Sequence, residues 1–394
     1  MKKIVTINSS SFYSTGTIIN NIASKLSGYY DFYHASADHE DEKTFQVTKN
    51  YPLRQLGKVY DQLFDKDGFS YNSQTKKLIN WIDSLHVNLV HIHNAHGYYL
   101  NLEHVLLYTY KNNIPVVYTM HDCWTFTGRC AHFVGNNCDK WKNGCGNCKF
   151  KSSYPKTRLC DDSKNNWERK KRLLTNHNVT FVSPSNWLRN FASESFLANE
   201  KLMVINNGID TGLFSKEVTG YELPKGIDPN KKMILSIALP FTQEKGLDEF
   251  NALQDLIDKD EYQIVLIGIT DEYKTKDGII RVAPTKDKNF LAFMYQHAYC
   301  FAFFTHQDNY PTVLLESLAC GTPIVAFDVG GVPEIVENNK TGYTVELGNI
   351  NDAYEKIKEI GKMDRSSCKK IGSEHSIDNF AEQYRLLYKS ILGE

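Results

Sequence analysis

The sequence predicts an α/β protein of two domains in series, and three observations carry that expectation. The chain has 394 residues, beyond the length at which one hydrophobic core goes on growing. Short apolar runs (KIVTIN, VNLVHIHN, IPVVYTMHD, NVTFVSPS) alternate with helical periodicity in the first half, and KKMILSIAL, YQIVLIGI, GIIRVAP and IVAF do so in the second. Between the two series the pattern pauses, with Gly208, Gly212, Gly220, Pro224, Gly226 and Pro229 inside 22 residues, the composition of a linker. The expected partition is 1–207, 208–375 and a closing amphipathic helix in 376–394.

A hydrophobic fraction of 41% and a charged fraction of 23% are those of a soluble globular protein. No apolar run approaches the length of a membrane span, and the apolar part of MKKIVTINSS is too short for a secretory signal, so it reads as a first strand in a cytoplasmic chain. The net charge of −1 gives no reason to expect nucleic acid. Locally, Lys140–Arg172 holds eleven Lys or Arg against three Asp or Glu. That is either a solvated face or a surface for an anionic membrane or a phosphate-bearing acceptor.

In chain order, Gly16 sits at the turn from the first strand into a helix carrying Ile18, Ile19, Ile22, Ala23 and Leu26. A glycine there admits a ligand or a second chain segment close to the backbone, or simply makes the turn. Residues 30–71 are polar, Tyr-rich and poorly periodic. His91 and His93 share one face of a strand, a metal pair or a structural one. His121 and Asp122 end the strand IPVVYTMHD at the carboxyl edge of a sheet, where ligands collect in open α/β folds, so His121 is a candidate proton handler or hydrogen-bond partner.

The insertion 123–150 differs from its surroundings. Five of the nine cysteines lie between Cys123 and Cys148. Cys130, Cys138, Cys145 and Cys148, closing in a C-G-N-C knuckle, suit a structural zinc, packed free thiols or disulfides. A four-thiolate site leaves no position open for substrate, so no catalytic role is expected of it.

The stretch FAFFTHQDNYPTVLLESLACGTPIVAFDVGG reads as strand, polar loop, helix opened by Pro311, turn and second strand, with Asp308 and Asn309 at the cap position. The first-turn N–H groups around Thr312 and Val313 then favour an anion, with two carboxylates, Asp308 and Glu316, eight positions apart. Lys245, just ahead of a helix, is either a phosphate partner or a surface lysine.

Taken together, STGTIINNIA, HIHNAHGYYLN, YTMHDCWTFTGRCAHF, FVSPSNWL, VINNGIDTGLF, EKGLDEF and DNYPTVLLESLACGTPIVAFDVGGVPEIV stand in an order that resembles the retaining family 4 glycosyltransferases of the GT-B fold, in particular the bacterial exopolysaccharide and capsule branch. The resemblance implies two Rossmann-like domains facing across a cleft, with the C-terminal helix crossing back to the first. It implies transfer of a hexose from a UDP- or GDP-sugar to a hydroxyl of a glycan or lipid-linked acceptor, without a catalytic cofactor. Glu316 matches the second Glu of the family's E-x7-E motif, on the donor ribose, and Asp308 stands where the first Glu would face the sugar. Lys245 matches the diphosphate lysine, His121 the histidine near the anomeric centre, and Gly16 the first-loop glycine. Asn309, Pro311, Thr312 and Val313 complete the donor-binding set. Two positions depart from the pattern: Asp308 replaces Glu, and Leu239 lies six before Lys245 where an arginine commonly stands. A nucleotide-sugar-binding protein without transferase activity and a GT-B-fold epimerase are the rival readings.

Overall fold

A computed structural model describes residues 1–239 and 241–394, with Tyr13 and Asn136 described by backbone alone. The chain divides into two compact units, Met1–Asn206 with Phe380–Glu394, and Asn207–Asn379. The first unit runs β1 (Lys2–Ile7), α1 (Tyr13–Leu26), β2 (Tyr30–Ser36), β3 (Thr44–Gln46), α2 (Tyr51–Phe64), α3 (Asn72–Leu85), β4 (Leu89–Ile92) and α4 (Leu102–Lys111). It continues with β5 (Val116–Thr119), α5 (Lys140–Asn143), α6 (Ser163–Leu174), β6 (Val179–Ser183), α7 (Asn186–Ser193) and β7 (Lys201–Val204). Among the described residues its strands form one parallel sheet, ordered β3-β2-β1-β4-β5-β6-β7.

The second unit runs α8 (Thr211–Phe214), β8 (Lys232–Ile237), α9 (Leu247–Leu256), β9 (Tyr262–Ile267), β10 (Ile280–Val282), α10 (Lys288–His297) and β11 (Cys300–Phe303). There follow α11 (Thr312–Ala319), β12 (Ile324–Phe327), β13 (Gly342–Val345), α12 (Ile350–Glu359) and α13 (Arg365–Glu374), and then the long closing helix α14 (Ile377–Leu392), which belongs to the first unit from Phe380 on. Its parallel sheet has the order β10-β9-β8-β11-β12-β13.

Both sheets are covered on two faces, and the two-residue period of a strand divides their side chains accordingly. In β8, Met233, Leu235 and Ile237 join a core with α10 and α11, while Ile234 joins the opposite core with α9 and α12. In β1, Val5 and Ile7 face one layer, and Ile4 faces α1 and the α14 residues Phe380, Tyr384 and Tyr388. That apolar stripe is why α14, from Phe380 on, belongs to the first unit. Two buried hydrogen bonds fix it: Tyr388 Oη lies 2.7 Å from His91 Nδ1, and Tyr384 Oη lies 2.9 Å from Thr119 Oγ1.

The division between units falls at Asn206–Asn207, ahead of the glycine- and proline-rich pause. That pause is not a free linker: Phe214 is buried, and Val218 N donates to Gln296 Oε1 at 3.0 Å. Residues 30–71, unreadable from periodicity, hold β2, β3 and α2. In β2 the aromatic side chains at alternate positions supply the strand signal, Tyr30 and Phe32 packing on Tyr388.

Candidate active site

In the second unit the strand order turns back between β8 and β11, and the loops after these two strands leave the sheet at its carboxyl edge. Such a switch point is where an open α/β sheet binds ligand. The loop after β8 carries Lys245 and the loop after β11 carries Asp308, and their Nζ and Oδ2 atoms lie 2.9 Å apart. Backbone contacts hold the loops together, since His306 N donates to Glu244 O at 3.0 Å. Gly246 has φ +89, and a Cβ there would lie 2.5 Å from Phe304 O. On the other side Gly330 has φ +59 and a Cβ would lie 1.7 Å from Asp308 O, so only glycine lets the loop after β12 back the Asp308 loop.

The helix α11 begins differently from the expectation. Pro311 is its N-cap residue in extended conformation and supplies no side-chain cap, so Asp308 and Asn309 lie before the cap. The consequence for chemistry is unchanged, because the first-turn N–H groups of Thr312 and Val313 are not capped by a side chain and both residues are partly exposed. Glu316 is the fifth residue of the helix, about 6 Å along its axis from Thr312 at 1.5 Å per residue. Tyr295 Oη donates to Glu316 Oε2 at 3.3 Å. Enclosure by protein raises this carboxyl to about 7, against the pull of Lys288 and the Tyr295 hydrogen bond.

In the first unit, Gly16 lies in the first turn of α1. A Cβ at Gly16 would lie 2.5 Å from the carbonyl carbon and oxygen of Ser11. The glycine therefore admits a chain segment, and it also lines a cavity of about 530 Å³ with Asn8, Ser10, His34 and Lys43 at the ends of β1 and β2. His121 follows β5, its Nε2 3.0 Å from His93 Nδ1. Burial lowers the ring of His121 to about 4, so it is neutral at pH 7. His91 is structural, held between Tyr388 and Thr119.

Residues 34–213 match the family description Glycosyltransferase Family 4, and residues 223–375 match Glycosyl transferases group 1. The chain belongs to the family 4 glycosyltransferases. The Escherichia coli (strain K12) protein that carries the name colanic acid biosynthesis glycosyl transferase WcaC is 26% identical over 261 residues, which cover 64% of this chain and 62% of that one. The chain thus spans about three fifths of the length of the curated relatives it first matches. Among solved structures, sucrose-phosphate synthase from Thermosynechococcus elongatus has a TM-score of 0.70 at 15% identity, over 100% of both chains. Anabaena Alr3699/HepE in complex with UDP-glucose has a TM-score of 0.67 at 14% identity, over 99% of this chain and 100% of that one. At such identities the likeness is one of fold.

The cysteine-bearing insertion packs around a buried cation. Arg129 is buried, pairs with Asp65 at 3.2 Å, and donates to the carbonyls of Lys151, Ser153, Pro155 and Phe150. It also donates to Cys148 Sγ at 3.1 Å, and Gly128 N donates to Cys145 Sγ at the same distance. The Cys130 thiol, the Phe150 N–H and Arg129 together hold the Cys148 thiol below its ordinary range. Among the described residues no three His, Cys, Asp or Glu side chains form a group that could hold a metal ion. The Cys130 and Cys148 thiols share a hydrogen bond with Cys145 close by, and Arg129 gives the glycine-rich loop a further support that the sequence reading overlooked.

Sequence reasoning missed three further features. His96 Nε2 meets Asp122 Oδ2 at 2.8 Å next to His121. Burial would raise Asp122, but the His96 charge and hydrogen bond prevail and hold it at about 2. Lys170, counted in the basic stretch, is buried over the Trp124 ring and donates to Trp124 O and Thr127 O. The period Trp167, Lys170, Leu173, Leu174 was its signal, since it puts the lysine on the apolar face. Arg281, the third, does not replace the arginine absent at Leu239, because its guanidinium is turned to Thr270 O and Asp271.

Proposed function

We propose that this chain moves a hexose from a nucleoside diphosphate sugar to a hydroxyl of a glycan or lipid-linked acceptor in bacterial surface polysaccharide or capsule assembly, with retention at the anomeric carbon. The observation that carries the proposal is the Lys245–Asp308 pair at the β8/β11 switch point, beside the uncapped first turn of α11. Lys245 and the N–H groups of Thr312 and Val313 would take the diphosphate, Glu316 the ribose hydroxyls and Asp308 the sugar. As the anomeric C–O bond breaks, charge grows on the leaving phosphate, where these donors stabilise it; the phosphate oxygen takes the acceptor proton while the acceptor oxygen bonds to the same face of the sugar. The UDP-glucose held by the Anabaena structure supports UDP as the first donor to try. The proposed reaction draws on no cofactor, and zinc at the cysteines would be structural. In this reading the enzyme works in the cytoplasm, at the inner face of the membrane.

The test is a panel of UDP- and GDP-sugars with glycan and lipid-linked acceptors. Transfer by the wild type and its loss in Lys245→Ala, with the fold intact by circular dichroism, is the expected result. Full turnover in Lys245→Ala would overturn the assignment of the phosphate site. Binding without turnover by the wild type would favour a silent nucleotide-sugar-binding protein, and an altered free nucleotide sugar an epimerase.

A further inference from the structure

The helix α2 is turned inside out relative to an ordinary surface helix. Leu53, Leu56, Tyr60 and Phe64 recur at helical spacing and form one outward stripe, 52%, 66%, 49% and 37% exposed, with Tyr51 and Val59 exposed as well. The side packed on the unit carries Asp61, 1% exposed, and Gly57, where a Cβ would lie 2.6 Å from Tyr71 Oη. Tyr71 Oη donates to Arg54 O at 3.0 Å. The helix is thus fixed through its polar side, and 14 residues present an apolar ridge about 21 Å long to solvent.

A second segment lies along the end of this ridge. Arg158 N donates to Gln62 O at 2.6 Å and Cys160 N to Leu63 O at 2.9 Å, which sets Leu159, 64% exposed, beside the helix. Charge around the ridge has one sign. Within α2, Arg54 and Lys58 stand against Asp61, which is buried. From Lys149 to Cys160 there are Lys149, Lys151, Lys156 and Arg158 and no acidic residue. Elsewhere in the basic stretch several cations are engaged internally: Lys142 with Glu194, Arg169 and Arg172 with Glu103, and Lys170 buried.

We propose that the outward face of α2, with the Lys149–Leu159 segment, is a docking surface for an anionic lipid bilayer. The apolar ridge enters the acyl boundary, Tyr51 and Tyr60 sit at headgroup level, and the flanking Lys and Arg side chains meet lipid phosphates. Charge decides against a second copy as occupant, because a symmetric pairing of this face would set its cations against their own images. The inference does not rest on the proposed transfer reaction; it concerns another surface of the first unit, and it moves the membrane contact from the whole of Lys140–Arg172 to one helix face and one segment.

The experiment is flotation of the full chain with vesicles of phosphatidylcholine alone and of phosphatidylcholine with phosphatidylglycerol. The wild type should float with the anionic vesicles, less with the neutral ones, and less again as salt rises from about 0.1 M to about 0.5 M. Leu56→Glu with Tyr60→Glu alters side chains already in water, so melting temperature and transfer to a water-soluble acceptor should stay as in the wild type. Vesicle binding should fall about tenfold or more. Lys156→Glu with Arg158→Glu should reduce binding to the anionic vesicles and leave the neutral ones unaffected. Undiminished binding in the Leu56/Tyr60 variant, or no binding of the wild type to anionic vesicles, overturns the proposal. Self-association that the same variant abolishes, without any vesicle binding, overturns it in favour of a second copy.

Discussion

Replacing Glu316 with Gln separates the stability of the second unit from its use. The side chain keeps its size while the titrating group disappears. Enclosure moves the carboxyl from 4.5 to about 7, which corresponds to about 3 kcal/mol between its two protonation states. Between these values the folded state holds a proton that the unfolded state has lost. Stability therefore falls as pH rises through that window, and the whole penalty stands above pH 7. In a unit spanning Asn207–Asn379, about 2–4 °C accompany each kcal/mol, so Glu316→Gln should raise the melting temperature by about 6–12 °C at about pH 8 and by nothing near pH 4.5. Nucleotide binding should move oppositely. A carboxylate accepting ribose hydroxyls binds best ionised, so wild-type affinity should weaken about tenfold from about pH 8 to about pH 6, whereas the Gln variant should bind weakly at both. Calorimetric melting and titration with UDP at the two pH values supply the data. Equal melting shifts at both, or pH-independent binding by the wild type, would refute the reasoning.

Two other substitutions probe the supports of the site. Gly330→Ala adds a Cβ at φ +59 that would lie 1.7 Å from Asp308 O, so the Asp308 loop must move. A loss of about 1–3 kcal/mol in denaturant melts and weakened donor binding should follow, and unchanged binding would detach the glycine from the site. Arg129→Met removes the cation that pairs with buried Asp65 and holds the cysteine loop, with an expected loss of about 3 kcal/mol by urea titration. A loop held by zinc would give the reverse: near wild-type stability in Arg129→Met and a melting temperature that drops on chelation.

Much of this protein was legible from residue order alone. The alternation of apolar runs and helical periods determined two doubly wound units, because a strand buried on both faces reads as a nearly continuous apolar run. Asp308 and Lys245 could be named because the loops that bear them follow strands, and a parallel sheet delivers such loops to one edge; Glu316 follows on the helix that the Asp308 loop enters. Only the tertiary structure decided what depends on orientation. The polar face of α2 turns inward and its leucines outward, although composition cannot tell which side of a helix a neighbour covers. Lys170 and Arg129 resemble surface cations until burial and carbonyl partners are seen. The cysteine spacing suited a zinc knuckle, and only three-dimensional placement sets the Arg129 guanidinium beside Cys148 as a support of the same loop. Periodicity records which residues avoid water on average, and the packing of one chain segment on another decides which of them do so.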